Sequence, residues 1–437
     1  MACIPPAFLF APGKRHSLFE ASHNELCAIV MLLNKAFPLL SLLALVQAAA
    51  TPDSLIPRAI DQNSYDAIVI GGGPSGLSAL SGLARVRRNV LLIDSGEYRN
   101  NATRHMHDVI GMDGVTPAYY RWLARKLLAD YDTVTMTNGT VTKIEAQDSN
   151  NTSFTVQATL PSGEKTLSAR KIVLATGLKD DIPDTPGLQE NWGKGIYWCP
   201  WCDGHEHEFQ SLGLLASLDD VAELVREVST LNFDVVAFVN GTDTPEARSA
   251  TDESFPGWED YLELAEVTVY NQTISSITRL RDGSDPDADP SLPSVAEYDL
   301  FRVDLDDGTS VRRAAFFVSF PDEQRSSVGA DLGVTLYGGR LFADQSKGFL
   351  TNVPGVYAVG DANSNNITNV PSAIFTGKRA AVYLHVQLAR EDVAAEIAAY
   401  NGTELEARDS WRLDPRDVWD RMNGQPGELL YAGKFEE

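Results

Sequence analysis

The chain has 437 residues, 43% of them hydrophobic and 22% charged, and a net charge of −24. That length calls for two or three globular domains. The acidic balance excludes a nucleic-acid-binding role, which needs basic surface against phosphates, and suits a soluble protein working outside the cell.

Residues 1–50 read as a targeting region. From Met31, "MLLNKAFPLLSLLALVQAAATPD" places Lys35 before an apolar run, Ala36 to Val46, and then Ala48-Ala49-Ala50. This is a secretory signal pattern, too short to cross a bilayer, and it makes Met31 the expected translation start. An N-terminal anchor or buried helix is the alternative, but no membrane association is expected. Sequons at Asn101, Asn138, Asn150, Asn151, Asn240, Asn271, Asn366 and Asn401 agree with a secreted glycoprotein. Cys3 and Cys27 precede the cleavage site, so the mature chain keeps Cys199 and Cys202, too few for a disulfide scaffold.

After a lead segment, 51–64, "YDAIVIGGGPSGLSALSGLARV" reads as strand, tight turn and helix, and "NVLLID" as a second strand ending at Asp94. Residues 116–130 are expected to form a helix with Trp122, Leu123, Leu127 and Leu128 on one side. "VTKIEA", "SFTVQATL" and "KIVLATG" then read as strands, giving an α/β unit with a parallel sheet. A second βαβ start follows the cysteines: "SLGLLAS", a helix over about 219–230, and "FDVVAFVNG". "RDGSDPDADPSLPS" is a surface loop. "GFLTNVPGVYAVGDANS" is a strand closing on Gly-Asp, before an apolar helix over 373–388. The polar, acidic residues 401–437 have no assigned role.

Gly71-x-Gly73-x-x-Gly76 sits between strand and helix. The first glycine turns the chain, the second admits a pyrophosphate to the backbone, and the third lets helix and strand pack closely. The helix N-terminus faces the phosphate charge, and Asp94 is placed for a ribose hydroxyl. The second notable cluster is "CPWCDGHEH". Cys199, Cys202, His205 and His207 are the right ligand types for zinc, although crowded for a tetrahedral site; a structural disulfide and a redox-active pair are the other two readings.

"LATGLKDDIPDTPG", "CPWCDG" and "GVYAVGDA", in that order, resemble the thioredoxin-reductase-like class of flavin disulfide oxidoreductases. "RNNATRHMHDVIGMDGVTPAYYRWLARK" resembles its fungal branch, which includes gliotoxin- and holomycin-type dithiol oxidases. The resemblance covers residues 65–385. It implies two Rossmann-like domains binding FAD and NAD(P), the second inserted in the first: an FAD-binding domain over 65–195 and 331–400, and the CxxC with a degenerate NAD(P)-binding-like domain over 196–330.

By the same resemblance FAD is the cofactor and no metal is needed. Its implied contacts are Gly71, Gly73, Pro74, Ser75, Gly76 and Asp94; Arg99, Asn100 and His107; Val141; and Ala175, Thr176 and Gly177. Gly360 and Asp361 would hold the ribitol, and Pro371 and Ser372 would open a helix toward the flavin's pyrimidine edge. Cys199 becomes the outer, attacking thiol and Cys202 the inner one, with a helix starting just after the pair. Asp203 or His205 would carry protons, His205 having the better ordinary pKa. His105 and His107 form a second His-x-His that either reaches the site or packs over the flavin. A homodimer is a family expectation.

The chain departs from the family where NADPH should bind. Ala216-Ser217-Leu218 lacks the second glycine turn, Asp219 and Asp220 stand where phosphate should meet a helix, and "FVNGTDTPEAR" lacks clustered basic residues. This favours a secreted oxidase that takes electrons from a small-molecule dithiol or a protein thiol and gives them through the CxxC pair and FAD to O2, forming H2O2. An NADPH-dependent disulfide reductase and a non-catalytic flavin-fold binding protein are the alternatives.

Overall fold

The computed structural model describes residues 64–402, except 286, 294 and 295. The expected signal region 1–50, the lead through residue 63 and the extension beyond 402 lie outside the described residues.

β1 (Ser64–Ile70) is central. It sends Ala67 and Val69 to one face of its sheet and Ile68 and Ile70 to the other, all buried, as a strand covered on both sides must. It leads into α1 (Pro74–Arg85), whose proline sits at the first position, where a missing N–H is harmless. β2 (Val90–Asp94), α2 (Pro117–Leu128) and β3 (Val134–Asn138) complete the parallel edge. β4 (Thr140–Ala146), β5 (Phe154–Leu160) and β6 (Gly163–Leu174) fold back antiparallel on one another, and β6 lies parallel to β1. The sheet, ordered β3-β2-β1-β6-β5-β4, is therefore mixed rather than parallel throughout. The connections among β4, β5 and β6 are too short for the crossover that a parallel pair needs.

β7 (Leu178–Asp180) carries the chain into a second unit. There follow α3 (Leu188–Asn191), β8 (Ile196–Tyr197), α4 (Pro200–Asp203), β9 (Leu212–Leu215), α5 (Leu218–Val228), β10 (Val235–Phe238), α6 (Pro245–Ser254), α7 (Trp258–Leu264) and β11 (Thr268–Tyr270). An antiparallel sheet of β12 (Ile274–Arg281), β13 (Leu300–Leu305) and β14 (Ser310–Arg313) precedes β15 (Ala315–Val318). β15 enters a parallel sheet ordered β11-β10-β9-β15-β8. β16 (Asp322–Gln324) pairs antiparallel with β7, Asp322 opposite Asp180, and returns the chain to the first unit. Then come α8 (Val328–Asp331), β17 (Leu336–Tyr337), β18 (Arg340–Leu341), β19 (Val356–Ala358), which pairs with β6, and α9 (Val370–Gly402). The fold is α/β with two Rossmann-type units, the second inserted in the first.

α1 and α9 meet through small residues. A Cβ on Gly82 would crowd Ala381, and one on Gly377 would strike the Ser75 carbonyl. Leu80, Leu83, Leu384 and Leu388 are fully buried in this layer, each contributing roughly 1.5–3 kcal/mol. Lys171, buried in β6, is paired with Glu391 of α9 at 2.8 Å.

Three further expectations shift. α9 begins earlier and runs much further than 373–388. α2 buries Pro117, Arg121 and Leu128, while Trp122 and Leu127 are exposed; the seam follows the i, i+4 row through the helix start, not the bulkiest side chains. The segment between β12 and β13 is more than a surface loop, since its end turns inward and buries Glu297 and Asp299.

Candidate active site

The turn after β1 opens a cleft at the carboxyl ends of the strands, the usual ligand position in such sheets. Gly71 has φ +110°, and a Cβ there would run into the Ala175 carbonyl. Gly76 lies against the Gly71 carbonyl, so its role is close packing, and it does not line the cleft. Gly73 precedes α1 with no side-chain cap and open space where its Cβ would be, and the helix's first turn has no acid. The N–H groups there are left for an anionic diphosphate. Thr176 adds a buried hydroxyl on the cleft wall with no partner among the described residues. These features fit FAD.

Most of the expected contacts meet here. Gly71, Gly73, Pro74 and Ser75 line the cleft with Asp94, Arg99 and Asn100. His107, Val141, Ala175, Thr176, Gly177 and Asp361 form further parts of the wall. Gly360 stands just outside at φ +69°, turning the chain so that Asp361 faces in. Pro371 and Ser372 also stand outside. Asn369 takes their place on the wall, its Oδ1 accepting from the Ser372 N–H at 2.8 Å at the start of α9.

Sequence reasoning missed the partners of the two acids. Asp94 is not a free ribose acceptor: it is ion-paired with Arg125 and accepts from the Tyr98 hydroxyl at 2.5 Å and the Gly96 N–H at 3.1 Å. Burial, and then the bond to Asp94, raise the Tyr98 pKa. Arg99 is ringed by Asp180 at 2.5 Å, Asp361 at 3.3 Å and Asp322 at 3.4 Å. Burial alone would lower its pKa, but the carboxylates outweigh that and raise it. Burial likewise raises Asp361 against the pull of Arg99. Asp180 and Asp322 are the paired residues of β7 and β16, so one guanidinium joins the crossing between the units to the cleft. No short motif carries that signal.

Cys199 and Cys202 are joined by a disulfide. The helical turn starts within the pair rather than after it: Cys199 is the N-cap of α4, and the Asp203 N–H returns to its carbonyl at 3.2 Å. Cys202 lines the cleft; Cys199 does not. Among the described residues no group of His, Cys, Asp or Glu is arranged to hold a metal.

The expected proton carriers separate. His205 is 84% exposed, faces Glu208 at 3.5 Å and does not line the cleft. Within the 3₁₀ turn over His205–His207 it is His207 that is buried, packed against Tyr197, its pKa lowered chiefly by burial. Asp203 is buried beside Cys202, and burial, then Glu206 and Glu297, hold its pKa well above the usual range. Asp203, His105 and His107 also line a narrow, tightly packed pocket beside the cleft, with Arg104, Tyr197, Glu206, His207 and Glu297.

The turn between β9 and α5 is closed by its own side chains. Leu218 is buried, its N–H donates to the Thr242 hydroxyl at 3.0 Å, and Asp220 accepts from Ser319 at 2.7 Å. Asp219 and Asp220 occupy the helix's positive end. Arg248, a basic residue after β10, is held by Asp243 at 2.5 Å and by Glu259.

The pyridine nucleotide-disulphide oxidoreductase family model matches residues 65–214. A "Probable thioredoxin reductase" of Arthroderma benhamiae is 45% identical over 376 residues, covering 82% of this chain and 91% of that one. "Thioredoxin reductase tcpT" of Claviceps purpurea is 31% identical, over 75% of this chain and 95% of its own. The crystal structure of HlmI superposes with a TM-score of 0.66 at 30% identity, covering 79% of this chain and 98% of that one. With its cleft, its disulfide and these relatives, the chain belongs to the thioredoxin-reductase-like, FAD-dependent disulfide oxidoreductases, in the branch of the fungal gliotoxin-type proteins.

Proposed function

We propose that this enzyme oxidises dithiols to disulfides, with dioxygen as the final acceptor. The observation that carries the proposal is the closed β9–α5 turn, where Leu218, Thr242 and two aspartates stand in place of a nucleotide phosphate cradle. Electrons then have to arrive by way of the cysteine pair.

A substrate thiolate attacks Cys199 Sγ, and the electron pair of the S–S bond passes to Cys202 Sγ at the cleft. The second substrate thiolate attacks the mixed disulfide, releasing oxidised substrate and the Cys199 thiolate. Protonated Asp203 supplies a proton beside Cys202 as the bond breaks. FAD held by Gly71, Gly73, Thr176 and Asp361 would supply the two-electron acceptor for the reduced pair, with dioxygen as terminal acceptor and hydrogen peroxide as product.

The test is anaerobic mixing of the FAD-loaded enzyme with excess dithiothreitol or with NADPH. Bleaching by the dithiol alone, followed by oxygen uptake in air with stoichiometric peroxide, is expected. Bleaching by NADPH overturns the proposal for a reductase, the reading that the relatives' reductase names favour.

The same reading sets the enzyme in the secretory pathway, supported by the signal pattern at 31–50 and by the sequons. Val382, Val386, Val393 and Ile397 are exposed along α9, which supports a homodimer through that face. Among the described residues no helix is long and apolar enough to cross a membrane.

A further inference from the structure

The narrow pocket at Asp203 contains a residue that nothing in the redox motif foretells. Glu297 reaches it from the long segment between β12 and β13, and its backbone is clamped there. Its N–H donates to the Glu206 carbonyl at 3.3 Å, and its carbonyl accepts from Gln210 Nε2 at 2.9 Å. Its carboxylate is ion-paired with Arg104 and accepts from the Tyr197 hydroxyl at 3.0 Å, with His105 Nε2 at 4.0 Å. A surface-loop acid has no need of four fixed anchors.

We propose that Glu297 is a positioning residue for the thiol–disulfide step, setting a negative charge across the pocket from Asp203 so that Asp203 carries a proton while the disulfide is intact. Every group facing the pocket enters this balance. The segment before α2 brings Arg104, His105 and His107; β8 brings Tyr197; the redox segment brings Asp203, Glu206 and His207. Asp299 and Arg279 stand behind Arg104 as a second ion pair. Glu206 is held by His107 at 3.1 Å, and Arg104 divides its charge among Glu297, Asp299 and Asp282. Three largely buried carboxyl groups lining one tight pocket cannot all ionise cheaply. Asp203, which has no ion pair of its own among these contacts, is the one that retains its proton. The direction of its pKa shift agrees.

The consequence is a balanced step. As substrate sulfur bonds to Cys199 and the S–S electron pair moves to Cys202, the Asp203 proton moves toward the new thiolate, and the carboxylate left behind is reprotonated before the next cycle. The inference rests on the pair being the redox centre, but its test needs no turnover.

Infrared pH-difference spectra of the full-length, FAD-loaded protein, without dithiol, identify the Asp203 carboxyl as the protonated-acid signal lost in Asp203→Asn. In Glu297→Gln the midpoint of that signal is expected to fall by about one pH unit, a tenfold change in protonation at fixed pH. Glu297→Asp, which keeps the charge but draws it back, is expected to lie between; it replaces the glutamine variant if that one does not fold. An unchanged midpoint in the folded variant overturns the proposal, as does the lack of any Asp203 signal at neutral pH in the unsubstituted protein. Failure of dithiol to bleach the flavin is a separate result that strikes the oxidase reading instead.

Discussion

Cys202 borders the flavin cleft while Cys199, bonded to it through one helical turn, lies outside it. The disulfide thus has a cofactor side and a substrate side. Cys202→Ser is expected to leave bound flavin oxidised under anaerobic dithiol and to lower peroxide formation by on the order of 10³-fold or more. Cys199→Ser is expected to lose turnover as well while keeping bound flavin, as read by its visible absorbance.

Asp203 has a folded-state pKa raised above its unfolded value by burial and by Glu206 and Glu297. The folded state therefore binds the extra proton, and the associated stability is fully present below about pH 4, the unfolded aspartate value. It is lost as pH rises toward the raised folded value. Asp203→Asn is expected to remove this slope and to unfold at higher urea than the unsubstituted protein at pH 8, with a smaller difference at pH 4. Its dithiol-oxidation rate should fall about 10²-fold or more.

Arg99 is 13% exposed among three carboxylates. Arg99→Met leaves those charges uncompensated and is expected to cost about 3–5 kcal/mol in urea unfolding. The purified variant should also carry less flavin per protein, because Asp361 loses the partner that orients it.

Thr242 caps the N–H of Leu218 at the closed turn. Thr242→Val should cost about 1 kcal/mol of stability and leave dithiol-driven oxygen uptake unchanged. A change in rate larger than the stability loss explains would show that this turn takes part in turnover.

Val386 and Val393 stand on the exposed apolar side of α9. The double substitution Val386→Arg, Val393→Arg is expected to convert a dimer to a monomer in sedimentation velocity while flavin content is retained. A monomer in the unsubstituted protein removes the dimer reading.

The glycine turn shows how much of the site was legible. Gly71, Gly73 and Gly76 announce themselves because each answers a local demand: a positive φ, an open helix start, and contact with the neighbouring carbonyl. The flanking apolar runs place β1 and α1 for the same reason. His205 and His207 show where such reading ends. They are chemically alike and two residues apart, yet one is solvated and the other buried, because only His207 has Tyr197 packed against it. Pairing direction among β4, β5 and β6 was decided by connection length, which apolar alternation does not report.

What the sequence determined by itself is therefore the family, the cofactor, the α/β layering and the redox pair, all written in short spacings. What only the tertiary structure decided is the electrostatics of the site: Arg125 on Asp94, Arg99 among Asp180, Asp322 and Asp361, and Glu297 behind Asp203. Those partners come from segments far apart in the chain. Which charge finds which, and whether it does so in water or in a buried pocket, is set by tertiary packing.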